Sequence, residues 1–123
     1  MARLSVASEN TALSSVFVPG TTYYLSLHSG DPAQNGANEI SGGSYARQAI
    51  VFTSASAGSE SNTASITFTS LPAAAGGLGY FGVWTASTSG TYLGGGTTTG
   101  LTGSLPSGIS INFATGAVTL SIS

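Results

Sequence analysis

His28, Ser29 and Asp31 put an imidazole, a hydroxyl and a carboxylate into one short stretch. These are the residue types of a nucleophilic triad, in which the imidazole takes the hydroxyl proton and the carboxylate orients the imidazole. Their adjacency argues against that role. Neighbours on an extended chain point to opposite faces, and triads are assembled from distant segments. His28 is therefore read as a polar residue at a strand end, facing solvent or a subunit neighbour. Asp31, Asn35, Asn38 and Glu39 gather hard oxygen donors in the same region. A calcium loop of the EF-hand kind needs an oxygen ligand at its third position and a bidentate glutamate at its twelfth. Ala33 stands at the third position here. These four are the candidate ligands should an ion bind, but the expectation is no metal, with the side chains capping turns instead. Glu39 and Arg47 are placed to pair and so to order the loop, an interaction worth about 0 to 1 kcal/mol if exposed.

Residues 77–82 read Gly-Leu-Gly-Tyr-Phe-Gly and match the spacing of a dinucleotide-binding turn. That turn must lead a strand into a helix and be followed by an acidic residue about 20 positions on. No Asp or Glu follows Glu60. The glycines are read as permitting close packing in a core strand. Gly94-Gly95-Gly96 and the threonines after it lack the lysine of a phosphate loop. The four scattered acids give no reason to expect a glycosidase pair. Tyr23, Tyr24, Tyr45, Tyr80 and Tyr92 could stack on sugars, although strand tyrosines more often bury the ring and leave the hydroxyl wet. No catalytic residue and no cofactor is expected.

The elements that would position these groups are mostly strands. Ser8 is placed to cap one or two helical turns carrying Leu13, Val16 and Phe17, which Pro19-Gly20 ends. Period-two alternation predicts strands over 22–28, 45–52, 63–69 and 79–85, with Trp84 in the central core strand and a shorter partner at 91–93. Segments 29–43 and 94–108 read as loops, and 54–61 as a polar turn. Residues 109–113 and 118–122 alternate around Thr115-Gly116 and predict a closing hairpin. The expected fold is all-β: an antiparallel sandwich or barrel of six to eight short strands with a short N-terminal helical turn. It forms one domain over 1–123, with 1–20 as an arm.

Composition narrows function further. Of 123 residues only 5% are charged, namely Arg3, Glu9, Asp31, Glu39, Arg47 and Glu60, and there is no lysine. A basic groove for nucleic acid cannot be built from two arginines. With no cysteine, thiolate metal sites and disulfides are excluded. No apolar run is long enough to span a membrane, and the N-terminus lacks the apolar core of a signal peptide. The 21 Ser and 16 Thr make a neutral, hydroxyl-rich, β-tolerant chain. Such surfaces associate more readily than strongly charged ones, which suits an assembly component.

Residues 23–32, YYLSLHSGDP, with GANEISGGSYARQAIVF after them, resemble a family of small β-rich virion structural proteins of tailed bacteriophages and prophages. The resemblance continues through GYFGVW, GTYLGGGT and SGISINFATGAVTLSIS, and covers the chain from about Leu13 onward. Members are labelled tail-fibre-like or minor structural proteins, so the resemblance implies a structural role without catalysis.

The chain carries no heptad stalk and no collagen-like repeat. A module of this size is expected to decorate a capsid, clamping neighbouring capsomers, or else to serve as a tail-fibre or tail-tip subunit that meets the host surface or its glycans. Contacts without ion pairs are little screened by salt, which ranks capsid decoration first. The expected partners are the major capsid protein or tail proteins, and further copies of the chain, with a trimer suited to threefold positions on a shell. The interface candidates are Leu13, Phe17, Tyr24, His28, Tyr45, Arg47 and Tyr92.

Overall fold

A computed structural model of the protein describes residues 4–121. Arg3 and the last alternating residue, Ile122, lie outside them. The helix α1 (Val6–Val16) is longer than expected and begins one turn earlier. Ser5, not Ser8, is its N-cap: the Ser5 hydroxyl accepts the Ser8 N–H at 3.2 Å, satisfying one of the first-turn donors. The Phe17 N–H returns to the Leu13 carbonyl, and Gly20, at φ +79°, turns the chain away. The Tyr23 hydroxyl then closes the helix end, accepting from the Val18 N–H at 2.8 Å and donating to the Val16 carbonyl at 3.2 Å. Leu13 and Phe17 sit in the core, so the segment expected as an arm is docked on the β structure.

Eight strands follow among the described residues: β1 (Thr22–His28), β2 (Gln48–Val51), β3 (Ser59–Ser61), β4 (Ile66–Phe68), β5 (Tyr80–Trp84), β6 (Tyr92–Thr97), β7 (Ile111–Phe113) and β8 (Thr119–Ser121). The main sheet has the order β2-β1-β5-β6, antiparallel throughout, and β3-β8 and β4-β7 form two short antiparallel ribbons. The sheets are not closed into a barrel. Of the two expected architectures the sandwich is the one formed.

Register explains the layering. Tyr23 pairs with Ile50, Leu25 with Val83 and Leu27 with Phe81, and all six are buried on one face of the main sheet. Phe17, Phe52, Leu78, Val118 and Leu120 join them in one apolar cluster, with Phe17 edge-on to Phe52 at 5.5 Å. Each fully buried aliphatic or aromatic side chain contributes roughly 1.5–3 kcal/mol. The opposite face presents Tyr24 beside Trp84, Ser26 beside Gly82 and His28 beside Tyr80.

Three expectations need correction. The closing hairpin does not form: β7 pairs with β4 and β8 with β3. The buried Asn62 separates them, donating through Nδ2 to the carbonyls of Ala64 and Ala114 and accepting the Val118 N–H at 2.9 Å. The 114–118 turn therefore wraps an amide side chain instead of joining two ladder partners. The polar turn at 54–61 contains strand β3. The segment 94–108 begins as the second half of β6 and then runs back antiparallel along 71–79, with Leu78 N–H to the Leu101 carbonyl and a two-way bridge between Ala74 and Leu105.

Candidate functional site

The outer face of the main sheet is covered by the 29–43 segment, and two glycines, Gly82 of β5 and Gly36 of the segment, set the fit. Gly82 has no side chain, and a Cβ there would meet Ser26 Oγ at 2.7 Å, His28 Nε2 at 2.8 Å and the Tyr92 ring at 2.9 Å. Gly36, at φ +77°, lies against the Trp84 and Tyr92 rings so closely that a Cβ would overlap the indole. The covering segment is ordered by its own turns: the Asp31 carboxylate accepts the Ala33 N–H at 2.8 Å, and Asn38 Nδ2 donates to the Asp31 carbonyl at 2.9 Å.

Beneath it lies a continuous polar chain. His28 Nδ1 is 2.7 Å from the Ala37 carbonyl, an acceptor, so the ring proton belongs on Nδ1 and Nε2 accepts from Ser26 Oγ at 2.7 Å. The Trp84 indole N–H donates to that same oxygen at 2.8 Å. Ser26 and His28 are both 0% exposed. The order hydroxyl, imidazole, carbonyl resembles a hydrolase pair, but a hydroxyl sealed beneath a packed segment meets no substrate carbonyl. Burial holds the His28 pKa below its ordinary value, outweighing the Ala37 hydrogen bond and the Glu39 charge.

Arg47 locks the edge of this layer. It pairs with Glu39 in a two-pronged contact, Nη2 to Oε1 at 2.8 Å and Nε to Oε2 at 2.9 Å. Its Nη1 donates to the Ala86 and Ser89 carbonyls, and its guanidinium lies 3.8 Å over the Trp84 ring. The Tyr45 hydroxyl donates to Glu39 Oε2 at 2.7 Å and accepts the Leu27 N–H. Arg47 and Tyr45 together hold the Glu39 pKa below the usual carboxylate value against the opposing effect of burial, and burial with Glu39 pushes the Tyr45 hydroxyl up. The pair expected at the surface is thus largely enclosed.

This geometry redistributes the residues singled out from sequence. Leu13, Phe17 and His28 are buried and are withdrawn as interface candidates. Tyr45 stacks on Phe68 at 6.1 Å with its hydroxyl on Glu39, and Arg47 is bound on every side, so both serve the interior. Tyr24 and Tyr92 remain half-exposed. Asp31 and Asn38 meet, Asn35 stays exposed in the turn, and Glu39 is turned to Arg47 and Tyr45 instead of towards a shared ion. Among the described residues no three of His, Cys, Asp and Glu converge as a metal site would require. Sequence reasoning missed Trp84 as the platform for Arg47 and Gly36 as its neighbour; the Asn35-Gly36 dipeptide, whose glycine takes φ +77°, was the available signal.

Two clefts flank the outer strand β6, which among the described residues pairs with β5 alone. One, of about 540 Å³, runs along α1 past Val16, Phe81 and Leu93. The other, of about 350 Å³, lies between β6 and the 31–34 turn and is walled by Tyr80 and Tyr92. Burial, followed by the Asp31 charge, raises the Tyr92 hydroxyl pKa. The surface around them is nearly without charge. Among the described residues Glu9 and Glu60 are buried and Glu39 and Arg47 are paired, which leaves Asp31 as the exposed charged side chain.

None of the curated proteins matches the chain. The profile of a phage fibre family, described as Podophage GP4 fiber I protein gp80, matches residues 4–121. With that match running from the start of α1 to the end of β8, the chain belongs to the podophage fiber I protein gp80 family and is a phage structural protein.

Proposed function

We propose that the protein is a non-enzymatic subunit of a phage tail fibre, located on the virion tail and assembled with copies of itself and neighbouring tail proteins. The family match supports the fibre placement over the capsid decoration ranked first from sequence, for which no observation speaks. The observation that carries the adhesive mechanism is the near absence of exposed charge: ionisable groups that the fold does retain are used to fasten its own layers. Contacts between such surfaces rest on apolar burial and neutral hydrogen bonds, and a lasting one removes at least about 1,000 Å² of area. The edge strand β6 and the N-terminal segment, where Val6 and Val16 of α1 and Val18 after it are exposed, are the surfaces offered for that contact.

Gold-labelled antibody against the protein, imaged on intact particles, tests the placement. Label confined to the tail at a few copies per particle is the expected result. Label spread over the capsid lattice overturns the fibre reading.

A further inference from the structure

The cleft between β6 and the 31–34 turn has the chemistry of a saccharide site. Its floor is Gly95, where a Cβ would meet the Tyr92 hydroxyl oxygen at 2.8 Å and collide with the Phe81 carbonyl. Glycine there lets the tyrosine hydroxyl lie directly over the β6 backbone. The Tyr92 ring is fixed edge-on to Trp84 at 5.3 Å and to His28 at 6.5 Å, so this wall is rigid before any ligand arrives. Tyr80 forms a second aromatic wall, and Asp31, Gln34 and Thr97 supply exposed polar side chains at the rim. The Ala33 N–H holds Asp31 Oδ1, which orients the carboxylate and leaves its second oxygen for an outside donor.

Charge decides the ligand class. The cleft offers one carboxylate, while the guanidinium of Arg47 is occupied by Glu39, Ala86 and Ser89. Phosphate, sulfate or carboxylate ligands would face a like charge with no cation to offset it. A neutral sugar presents a C–H face to an aromatic wall and a row of hydroxyl donors to a carboxylate, whose charge-assisted hydrogen bonds are roughly twice as strong as neutral ones. A volume of about 350 Å³ falls in the range of small-ligand pockets.

We propose that this cleft binds neutral saccharide units through stacking on Tyr92 and Tyr80 and hydroxyl donation to Asp31. The inference rests on the tail-fibre reading, which puts the cleft where it meets a host surface rich in sugars.

The test is titration of the full chain with neutral trisaccharides built from glucose, galactose, rhamnose or N-acetylglucosamine, alongside phosphorylated and sialylated counterparts, followed by amide NMR shifts. Saturable shifts confined to residues 31–34 and 94–97 are expected, with neutral sugars binding more tightly than anionic ones. Asp31→Asn keeps the acceptor for Ala33 and hence the turn, and should weaken binding at least tenfold with unchanged melting temperature. Tyr80→Leu should do the same, while Ser104→Ala leaves binding intact. Absence of saturable shifts with every probe, shifts centred elsewhere, undiminished binding by Asp31→Asn, or preference for anionic sugars would overturn the site. Gold label on the tail with no sugar binding sinks this inference alone, whereas sugar binding with label on the capsid sinks the fibre placement alone.

Discussion

His28 Nε2 and Ser26 Oγ lie 2.7 Å apart on the outer face of β1, with the Trp84 indole N–H on the same oxygen from the neighbouring strand. Three side chains thus join β1 to β5 outside the core, and the imidazole passes the link to the covering segment through the Ala37 carbonyl. The link is formed by neutral imidazole.

Acid should therefore loosen the layer. Unfolded His28 titrates near its ordinary pKa of about 6.5, and burial lowers the folded value, so the unfolded chain binds more protons just below that pH. Stability falls as pH drops from about 6.5 towards the depressed folded pKa and levels off beneath it. His28→Gln should flatten this part of the profile while costing about 2 kcal/mol at pH 7. Urea midpoints between pH 7 and 5 measure both; a variant with the wild-type slope would show that His28 is not the titrating group.

Glu60 works in the opposite sense. It is 1% exposed, Ser14 Oγ donates to its Oε2 at 3.0 Å, and its buried Oε1 has no hydrogen-bond partner among the described residues. Burial raises its pKa, so the native state binds the extra proton and stability is lost as pH rises from about 4.5 through the folded value. Glu60→Gln keeps the acceptor for Ser14 and removes the charge. It should stabilise the protein by about 1 kcal/mol at pH 7 and give no gain at pH 4, as read from thermal melts at the two pH values.

Arg47→Lys tests the lock at the edge of the layer. A lysine supplies neither the planar fork for Glu39 nor the stacking on Trp84, and it has one ammonium where Ala86 and Ser89 also need a donor. A loss of about 2 kcal/mol is expected, with amide exchange accelerating across 29–43 before the main sheet opens. Uniform acceleration throughout the chain would contradict a local lock.

Gly36 and Gly100 form a matched pair, at φ +77° and +78°. Alanine strains the backbone at both, by about 1 kcal/mol. At Gly36 the added Cβ also runs into Trp84, whereas at Gly100 nothing lies within 4 Å. Gly36→Ala should therefore cost at least about 2 kcal/mol more than Gly100→Ala and quench less of the tryptophan's solvent exposure, seen as a red-shifted emission. Equal costs would mean that the covering segment is not seated on the indole.

Much of the β structure was legible in the residues. Tyr23, Leu25 and Leu27 alternate because one face of β1 meets the core, and the same reasoning found β2, β4 and β5. What escaped notice lacks that signal. β3 is Ser-Glu-Ser and buries a carboxylate, and β6, expected only as a short partner over 91–93, continues through glycines where the Phe17 and Phe81 rings occupy the space of side chains. The Glu39–Arg47 pair was foreseeable from spacing, but its enclosure was not, because Trp84 and the Ala86 and Ser89 carbonyls arrive from a segment about 40 residues away.

Local pattern and composition alone determined that this chain is an antiparallel β protein with very few charges, since alternation and residue type act on each segment independently of the others. Tertiary structure decided which of the few reactive groups face outward. Packing over Gly82 and Gly36 folds His28, Ser26, Arg47 and Glu39 under a cover while leaving Asp31 and Tyr92 at a cleft, and that depends on contacts between distant segments that no local run of residues encodes.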